Sequence, residues 1–395
     1  MNLSTKILIA LGLGIIAGLQ LGAEGAAFAK AWIGPLGTIF MNLIKMVIVP
    51  LVFSSLVMGV CGLGDVKKLG RIGFKTIALY LFTTAFAIAL GIAFGVLVEP
   101  GAGLNMSTEG LKVTAKAAPP IMKVIIDIFP TNPLGAMVKA NMLQIILFAL
   151  FVGVGIVAVG EKAEALKNTI DGLAEVCYKM VAIIMSFAPL GVFGLITPVV
   201  AANGPAVLLP LLKVIICVYV GCLLHALIVY GALVATLGKT SPLSFFKGVA
   251  PASILAFSSC SSSGTLPLTM DCMRKMGVSQ NISSFVLPLG ATINMDGTAL
   301  YQGVCALFVA QIYGIELTGA QYMTILLTGT LASIGTAGVP GAGFIMLTMI
   351  LTALGLPLEG SALIAGIDRI LDMPRTSVNV TGDAAVTLIV DKSEQ

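Results

Sequence analysis

The stretch Ser258-Ser-Cys-Ser-Ser-Ser-Gly-Thr265 is polar, and basic residues bound the segment that contains it. Lys247 precedes it, and Arg274-Lys275 begins 27 positions after Lys247. A helix that crosses a membrane takes about 20 residues, so this segment is too short for two crossings. Cytoplasmic loops of membrane proteins are enriched in Lys and Arg, which places both of its ends on the cytoplasmic side. The segment therefore predicts a re-entrant hairpin over about 247–275.

The composition places this hairpin in a membrane. Of the 395 residues, 58% are hydrophobic and 10% are charged, against roughly 25% charged residues in soluble proteins. So few polar side chains cannot cover a water-exposed surface, which excludes a water-soluble fold. No basic cluster indicates nucleic-acid binding. The seven cysteines form no CxxC pair, so we expect neither disulfides nor a zinc site.

The basic connectors determine the number of crossings. The connector Asp65-Val-Lys-Lys-Leu-Gly-Arg71 and the later charged connectors each follow an even number of hydrophobic segments. A second tip of small residues, Ser333-Ile-Gly-Thr-Ala-Gly-Val-Pro-Gly341, predicts a hairpin over about 319–356 that enters from the outside. We predict an all-α polytopic membrane protein with eight transmembrane helices, two re-entrant hairpins and cytoplasmic termini. The spans are expected at about 4–22, 35–62, 72–98, 121–160, 174–200, 206–237, 281–312 and 359–390.

The last span carries charges on one helical face. Its polar residues Asp368, Asp372, Arg375, Asn379 and Asp383 are separated by steps of four, three, four and four. An ionised side chain facing lipid at the bilayer centre costs roughly 2.5–3.5 kcal/mol, so this face must meet protein, water or a ligand. A functional role is favoured for this face; the structural alternative is an ion-pair ladder that holds the bundle together, to which Arg369 and Asp372, three residues apart, would partly belong.

The seventh span is polar at its middle. Thr292-Ile-Asn294-Met-Asp296-Gly297-Thr298 combines a carboxylate, an amide, hydroxyls and a glycine that should break the helix. A hard cation takes several oxygen ligands, which unwound carbonyls beside Asp296 and Asp383 would supply. Tyr80, Thr83 and Thr84 in the third span are further candidate oxygens.

Four motifs resemble the dicarboxylate/amino acid:cation symporters, the glutamate transporter family: Ser261-Ser-Ser-Gly-Thr, Asn294-Met-Asp-Gly-Thr, Gly335-Thr-Ala-Gly-Val-Pro-Gly and Asp372-Met-Pro-Arg-Thr-Ser-Val-Asn-Val-Thr-Gly-Asp383. The resemblance implies inverted repeats, a homotrimer in the membrane lipid and an elevator-type fold. Its scaffold would comprise 1–70 and 111–204, with a transport domain of 71–110 and 205–395.

The resemblance also implies a role for each matching residue. Arg375 would hold the side-chain carboxylate of the substrate, Asp372 its amino group, and Asn379 with Thr298 and Ser262 its main-chain carboxylate. The remaining substrate-site residues implied are Ser261, Thr376, Gly338 and Val339. A guanidinium fits a carboxylate bidentately and an aspartate pairs with an ammonium, which favours an acidic amino acid, aspartate or glutamate.

Three sodium sites follow from the same resemblance. The first would use Gly290, Asn294, Asn379 and Asp383, and the second Thr292, Ser333, Ile334 and Thr336. The third would use Tyr80, Thr83, Thr84, Asn294 and Asp296. An acidic amino acid enters as an anion, so accumulation driven by the membrane voltage needs at least two cations.

One charge departs from the family pattern. Archaeal relatives have an arginine where this chain has Cys260, and animal relatives have one where it has Met373. Arg369, one turn before Met373, is expected to reach the hairpin tip in its place. These arginine positions leave potassium counter-transport open.

We therefore predict a sodium-coupled importer of aspartate or glutamate in a prokaryotic cytoplasmic membrane. Proton coupling and a passive anion channel are the alternatives. An enzyme is not expected: Asp65, in a Gly-Leu-Gly-Asp motif, suits a solvated loop better than an intramembrane protease. Gly238-Lys239-Thr240 lacks the first glycine of a nucleotide-binding loop. His225, the only histidine, is predicted to be a packed, hydrogen-bonding residue.

Overall fold

The computed structural model describes residues 3–61, 66–104, 106, 126, 129–139, 141–334, 336, 338 and 340–395. Within these residues the regular structure is helical throughout. Four helical stretches are long and apolar enough to cross a membrane: Thr5–Phe40, Arg71–Val98, Gln144–Ile184 and Gly204–Thr236. The predicted spans 281–312 and 359–390 are not among them, because the first is interrupted at Asn294 and the second carries the charged face.

One packed group comprises five helices: α1 (Leu3–Phe28), α2 (Gly34–Cys61), α5 (Met142–Val159), α6 (Glu164–Ser186) and α7 (Ala188–Asn203). In this group α1 lies along α7, and α2 contacts α5, α6 and α7. A short helix α4 (Pro133–Val138) precedes α5. The single span predicted at 174–200 is wrong in detail. The helix axis is interrupted at Phe187, one residue before α7, and Pro189 follows in its first turn.

A second group is built around α16 (Ser361–Glu394). It comprises α3 (Val66–Val98), α8 (Leu208–Leu224), α9 (Gly231–Thr236), α10 (Pro242–Ser259), α11 (Ser262–Lys275), α12 (Gln280–Ile293) and α13 (Asp296–Ile312). Helix α3 packs closely on α13 because Gly91 has no side chain: a Cβ there would overlap the carbonyl group of Leu300. The stretch His225–Tyr230 between α8 and α9 is a π-helix.

Both predicted hairpins are present as antiparallel helix pairs. Helices α10 and α11 form the first hairpin, and α14 (Gly319–Ser333) and α15 (Ala342–Leu354) form the second. The four helices α10, α11, α14 and α15 have 18, 14, 15 and 13 residues. At 1.5 Å per residue they are about 20–27 Å long, less than the ~30 Å of a bilayer core. Their tips meet, since Ser261 Oγ donates to Gly338 O at 2.9 Å and Ser263 N donates to the same carbonyl at 3.2 Å.

The predicted break in the seventh span exists, but Gly297 does not cause it. The backbone is unwound at Asn294 and Met295, and Gly297 lies in the first turn of α13. A Cβ at Gly297 would stand 2.6 Å from Arg375 Cα. The glycine therefore allows close approach of α13 to α16, and the unwound residues supply the break.

Candidate functional site

The centre of the candidate site is Arg375 on α16, a fully buried side chain. Its Nη1 donates to Asp368 Oδ1 at 2.9 Å, and its Nη2 lies 2.9 Å from Asp372 Oδ1. The guanidinium carbon also lies 3.9 Å from the centre of the Tyr301 ring, within the range of a cation–π contact. A buried guanidinium is thus neutralised by two carboxylates and one aromatic face.

Arg375 keeps capacity for a ligand. Its Nε donates no hydrogen bond to any described residue. A guanidinium carries five N–H donors. A donor that is buried without an acceptor destabilises the folded state, because it loses its hydrogen bond to water and gains none in return. A carboxylate placed beside Arg375 would satisfy it.

The predicted pairing of Arg369 with Asp372 is wrong. Asp372 lies against Arg375 instead, and it accepts hydrogen bonds from Thr376 Oγ1 at 3.2 Å and from Gly341 N at 3.3 Å. Arg369 points to the first hairpin, where its Nη2 lies 3.5 and 3.4 Å from the carbonyl oxygens of Ser258 and Ser259. The expectation that Arg369 reaches the hairpin tip is confirmed.

Asn379 links α16 to the unwound backbone. Its Oδ1 accepts from Gly297 N at 2.8 Å, and its Nδ2 lies 3.4 Å from Thr298 Oγ1. Its own carbonyl accepts from Asn294 Nδ2 at 3.0 Å. The amide of Asn379 therefore fixes the start of α13 against α16.

A small polar cavity lies between the hairpin tips, and Asp372 and Asn379 are part of its lining. Its lining includes the predicted substrate residues Ser262, Thr298, Gly338, Asp372, Thr376 and Asn379. The free volume is about 10 Å³, room for about one water molecule. This volume is too small for an amino acid, and Gly338, which joins the two hairpin tips, is part of the lining. Ser261 belongs to the same tip, and Val339 lies outside the described residues.

A much larger cavity has an apolar lining. A groove of about 560 Å³ lies between α8, α10 and α16, and its described lining contains no charged side chain. Its rim includes exposed Leu223 and Ile254. Such an apolar groove cannot hold a charged solute, so the candidate site is assigned to the small polar cavity by its donors and acceptors.

The first candidate cation site is a buried oxygen cluster around Asp383. Asp383 Oδ1 accepts from Asn294 Nδ2 at 2.9 Å. Gly290 lies against both Asp383 and the Tyr80 hydroxyl, where a Cβ would stand 2.8 Å from Asp383 Cγ. Asn294 Oδ1 has no hydrogen-bond donor among the described residues. Carboxylate, amide and carbonyl oxygens of this kind suit a hard cation.

The second oxygen cluster surrounds Asp296, which is fully buried. Thr84 Oγ1 donates to its Oδ1 at 2.6 Å, and Tyr230 OH donates to its Oδ2 at 2.6 Å. His225 Nε2 lies 3.2 Å from the same Oδ2. Thr83 Oγ1 instead donates to Tyr80 O in its own helix.

The remaining predicted cation ligands are not joined by hydrogen bonds. Thr292 is exposed and its hydroxyl donates to Leu289 O. Ser333, the last residue of α14, donates to Thr330 O. Thr336, which follows Ile334 just beyond this helix, donates to Ala332 O. In the described part of the chain, these hydroxyls are committed to local backbone, and no hydrogen bond connects Thr292 to the other three.

Sequence reasoning missed four contributors: Asp368, Tyr301, His225 and Tyr230. Asp368 stands on the charged face of α16, so its role as a partner of Arg375 could have been anticipated from the i, i+7 spacing. His225 is buried and hydrogen-bonded as predicted. Its partner could not be read from the sequence, because Asp296 is 71 positions away and the contact requires the tertiary fold.

Comparison with known proteins relates this chain to a family of symporters. Residues 3–393 match the sodium:dicarboxylate symporter family. The chain is 40% identical over 401 residues to the proton/sodium-glutamate symport protein of Bacillus caldotenax, covering 100% of this chain and 94% of that one. It is 39% identical over 412 residues to the proton/glutamate-aspartate symporter of Escherichia coli (strain K12), covering 100% and 93%. The C4-dicarboxylate transport protein of Bacillus subtilis (strain 168) is 33% identical over 400 residues, covering 100% and 94%.

Proposed function

Because the chain belongs to the sodium:dicarboxylate symporter family, we propose that it is a secondary active symporter that imports acidic amino acids, aspartate or glutamate, together with sodium ions. The observation that carries this proposal is the adjacency of Arg375 to Asp372, a carboxylate that lines the small polar cavity. A guanidinium binds a carboxylate, and the carboxylate beside it repels a plain dicarboxylate and pairs with an ammonium. An amino acid with an acidic side chain satisfies both.

The proposed binding mode uses the groups around the cavity. The side-chain carboxylate of the substrate takes the free donor capacity of Arg375, and its ammonium takes Asp372. Its main-chain carboxylate is held by Asn379, Thr298, Ser262 and the hairpin backbone, while Asp368 keeps Arg375 in place. The contacts among Ser261, Ser263 and Gly338 would break to admit the substrate and re-form behind it.

Sodium is the proposed coupling ion. The clusters around Asp383 and Asp296 offer mainly oxygen ligands, and among the residues that the structure describes no group of three or more His, Cys, Asp or Glu side chains could hold a metal ion. The set predicted as the second sodium site, Thr292, Ser333, Ile334 and Thr336, would bind an ion only after its hydroxyls leave their local backbone partners. At ~2.3 kcal/mol per charge per 100 mV, at least two sodium ions are needed for voltage to drive an anionic substrate inward.

The proposed assembly is a homotrimer in the cytoplasmic membrane with both termini inside. Eight transmembrane helices and two re-entrant hairpins would form an elevator, with residues 1–70 and 111–204 as scaffold and residues 71–110 and 205–395 as the moving part. The two packed helix groups support this division, since α3 and α8–α16 surround the site and the other helices pack mainly on one another.

Proton coupling is the second candidate, and the Escherichia coli relative is named a proton/glutamate-aspartate symporter. Purified protein in liposomes separates the two. We expect labelled aspartate to accumulate when sodium is high outside and protons are balanced. Equal accumulation driven by a proton gradient in sodium-free buffer would establish proton coupling instead, and label that enters under either gradient but only equilibrates would indicate a passive channel.

A further inference from the structure

Asp296 is held by two side chains that the proposed sodium site does not include. Tyr230 and His225 both meet its Oδ2, at 2.6 and 3.2 Å. All three side chains are fully buried. An ionised carboxylate accepts about four hydrogen bonds or metal contacts. Three are used here, because Thr84 occupies one position on Oδ1.

The local helix geometry is what brings Tyr230 and His225 together. They are five residues apart, and in an α-helix such residues point about 140° apart around the axis. The segment His225–Tyr230 is a π-helix, whose i to i+5 hydrogen bonds stack residues five apart on one face. The two rings meet edge-on, 4.9 Å between centres. The segment His-Ala-Leu-Ile-Val-Tyr contains neither glycine nor proline, so no helix-breaking residue accounts for the π-turn.

The opposite wall leaves room for this arrangement. Gly382 on α16, next to Asp383, faces Tyr230, and a Cβ there would stand 2.7 Å from Tyr230 Cζ. The phenol therefore enters between α13 and α16 only because position 382 has no side chain. The π-helix and the glycine are independent features that admit the same hydroxyl to the same carboxylate.

From this geometry we infer that His225 and Tyr230 are positioning residues of the cation site: they hold Asp296 Oδ2 and thereby present Oδ1, beside Thr84, to a sodium ion. This inference rests on the proposed function. A carboxylate fixed by two donors does not rotate when the ion arrives, so the site loses little free energy to reorganisation on binding. Neither residue is part of the lining of the proposed substrate cavity.

The test measures sodium dependence and substrate dependence separately in liposomes. Tyr230→Phe removes one donor to a charged acceptor and should raise the half-saturating sodium concentration about tenfold or more. His225→Ala should raise it similarly, whereas His225→Gln, which retains a donor, should restore it. At saturating sodium, the half-saturating aspartate concentration should stay within about twofold for all of them, because substrate contacts are unchanged.

Tyr219→Phe is the matched control. It removes a phenol hydroxyl from the same helix, but that hydroxyl donates to Ile370 O at 3.1 Å, away from Asp296. Its sodium dependence should equal that of the unmodified protein.

Three results would overturn the inference. Unchanged sodium dependence in both Tyr230→Phe and His225→Ala would show that Asp296 needs no positioning. A His225→Gln protein that behaves like His225→Ala would show that ring packing matters and the hydrogen bond does not. If the unmodified protein shows no sodium response at all, the proposed function fails too, a result distinguishable from a failure of the inference alone.

Discussion

The two hairpins differ in what holds them closed. The first hairpin turns tightly at Cys260 and Ser261, and the carbonyl groups that precede this turn face Arg369. Its main packing partners are α12 and α16. One leg is open to the surroundings, since Ile254 is 69% exposed. In the second hairpin one helix is enclosed: residues 342–351 of α15 are all buried, and α15 contacts α2, α5, α13 and α16.

The two hairpins also differ in whether their contacts with α16 involve a proposed substrate ligand. The first hairpin is anchored to α16 by Arg369 and by the 2.8 Å contact of Ser253 with Thr381, neither of which is a predicted substrate ligand. The tip of the second hairpin reaches α16 through Gly341 N and Asp372, the proposed partner of the substrate ammonium. We therefore expect substrate binding to act on the second hairpin more strongly than on the first.

The largest effects are expected at the two proposed substrate contacts, Asp372 and Arg375, and Asp372→Asn tests the first. The amide can still accept from Gly341 N, so the hairpin contact is retained while the charge that would pair with an ammonium is lost. Losing one partner of a buried charge pair costs about 2–5 kcal/mol, which corresponds to at least ~30-fold weaker aspartate binding. Aspartate binding to purified protein measures this.

Asp271→Asn is the control, because this carboxylate on the first hairpin is half-buried and paired with the exposed side chains of Arg274 and Lys275. Near-normal aspartate affinity in Asp372→Asn would contradict the proposed link between the second hairpin and the ammonium.

Arg375→Cys should abolish uptake of aspartate and glutamate but permit binding of small neutral amino acids. The side-chain carboxylate then has no guanidinium to pair with, while Asp372 remains available to an ammonium. Competition against labelled serine and labelled aspartate measures the switch. Unchanged aspartate affinity would refute the role proposed for Arg375.

A smaller effect is expected for Arg369→Gln, which weakens the anchor of the first hairpin. The side chain is half-buried and its contacts to Ser258 O and Ser259 O are long, so we expect a few-fold change in transport rate, on the order of 1 kcal/mol. Aspartate affinity should change less than the rate.

Arg274→Gln, an exposed arginine of the same hairpin, is the control. Transport in Arg369→Gln at the normal rate would show that Arg369 does not replace the arginine that relatives have near this tip.

The smallest effect concerns the contact between Ser253 and Thr381. Ser253→Ala and Thr381→Val should each lower stability by about 0.5–1.5 kcal/mol, and the double variant should lose less than the sum because the two residues share one hydrogen bond. Thermal unfolding in detergent measures all three. Strict additivity would show that this bond does not help to hold the first hairpin on α16.

Much of this architecture could be predicted from residue type and spacing. The short, basic-bounded segment at 247–275 predicted the first hairpin, and the glycine-rich segment around 333–341 predicted the second. The steps of three and four in the last span predicted that Asp372, Arg375 and Asn379 share one face of α16. These predictions succeeded because helix length and periodicity are local properties.

Other features could not be predicted in this way. Helical spacing suggested that Asp372 pairs with Arg369, yet Asp372 pairs with Arg375 because α16 turns Arg369 toward the first hairpin. The break in the seventh span lies at Asn294 and Met295 because Asn294 bonds to Asn379 O and Asp383 on α16. Each outcome depends on a neighbouring helix distant in sequence.

By itself, the sequence determined that this protein is helical, lies in lipid and buries a charged helical face. Its apolar composition requires lipid as the solvent, and in lipid the backbone must form its own hydrogen bonds and the charged side chains must face protein, water or a ligand. Only the tertiary structure decided which charges pair, that the hairpin tips meet at Gly338, and that a π-helix turns His225 and Tyr230 onto Asp296. The physical reason is that the free energy of a buried polar group depends on the partners that the fold brings to it.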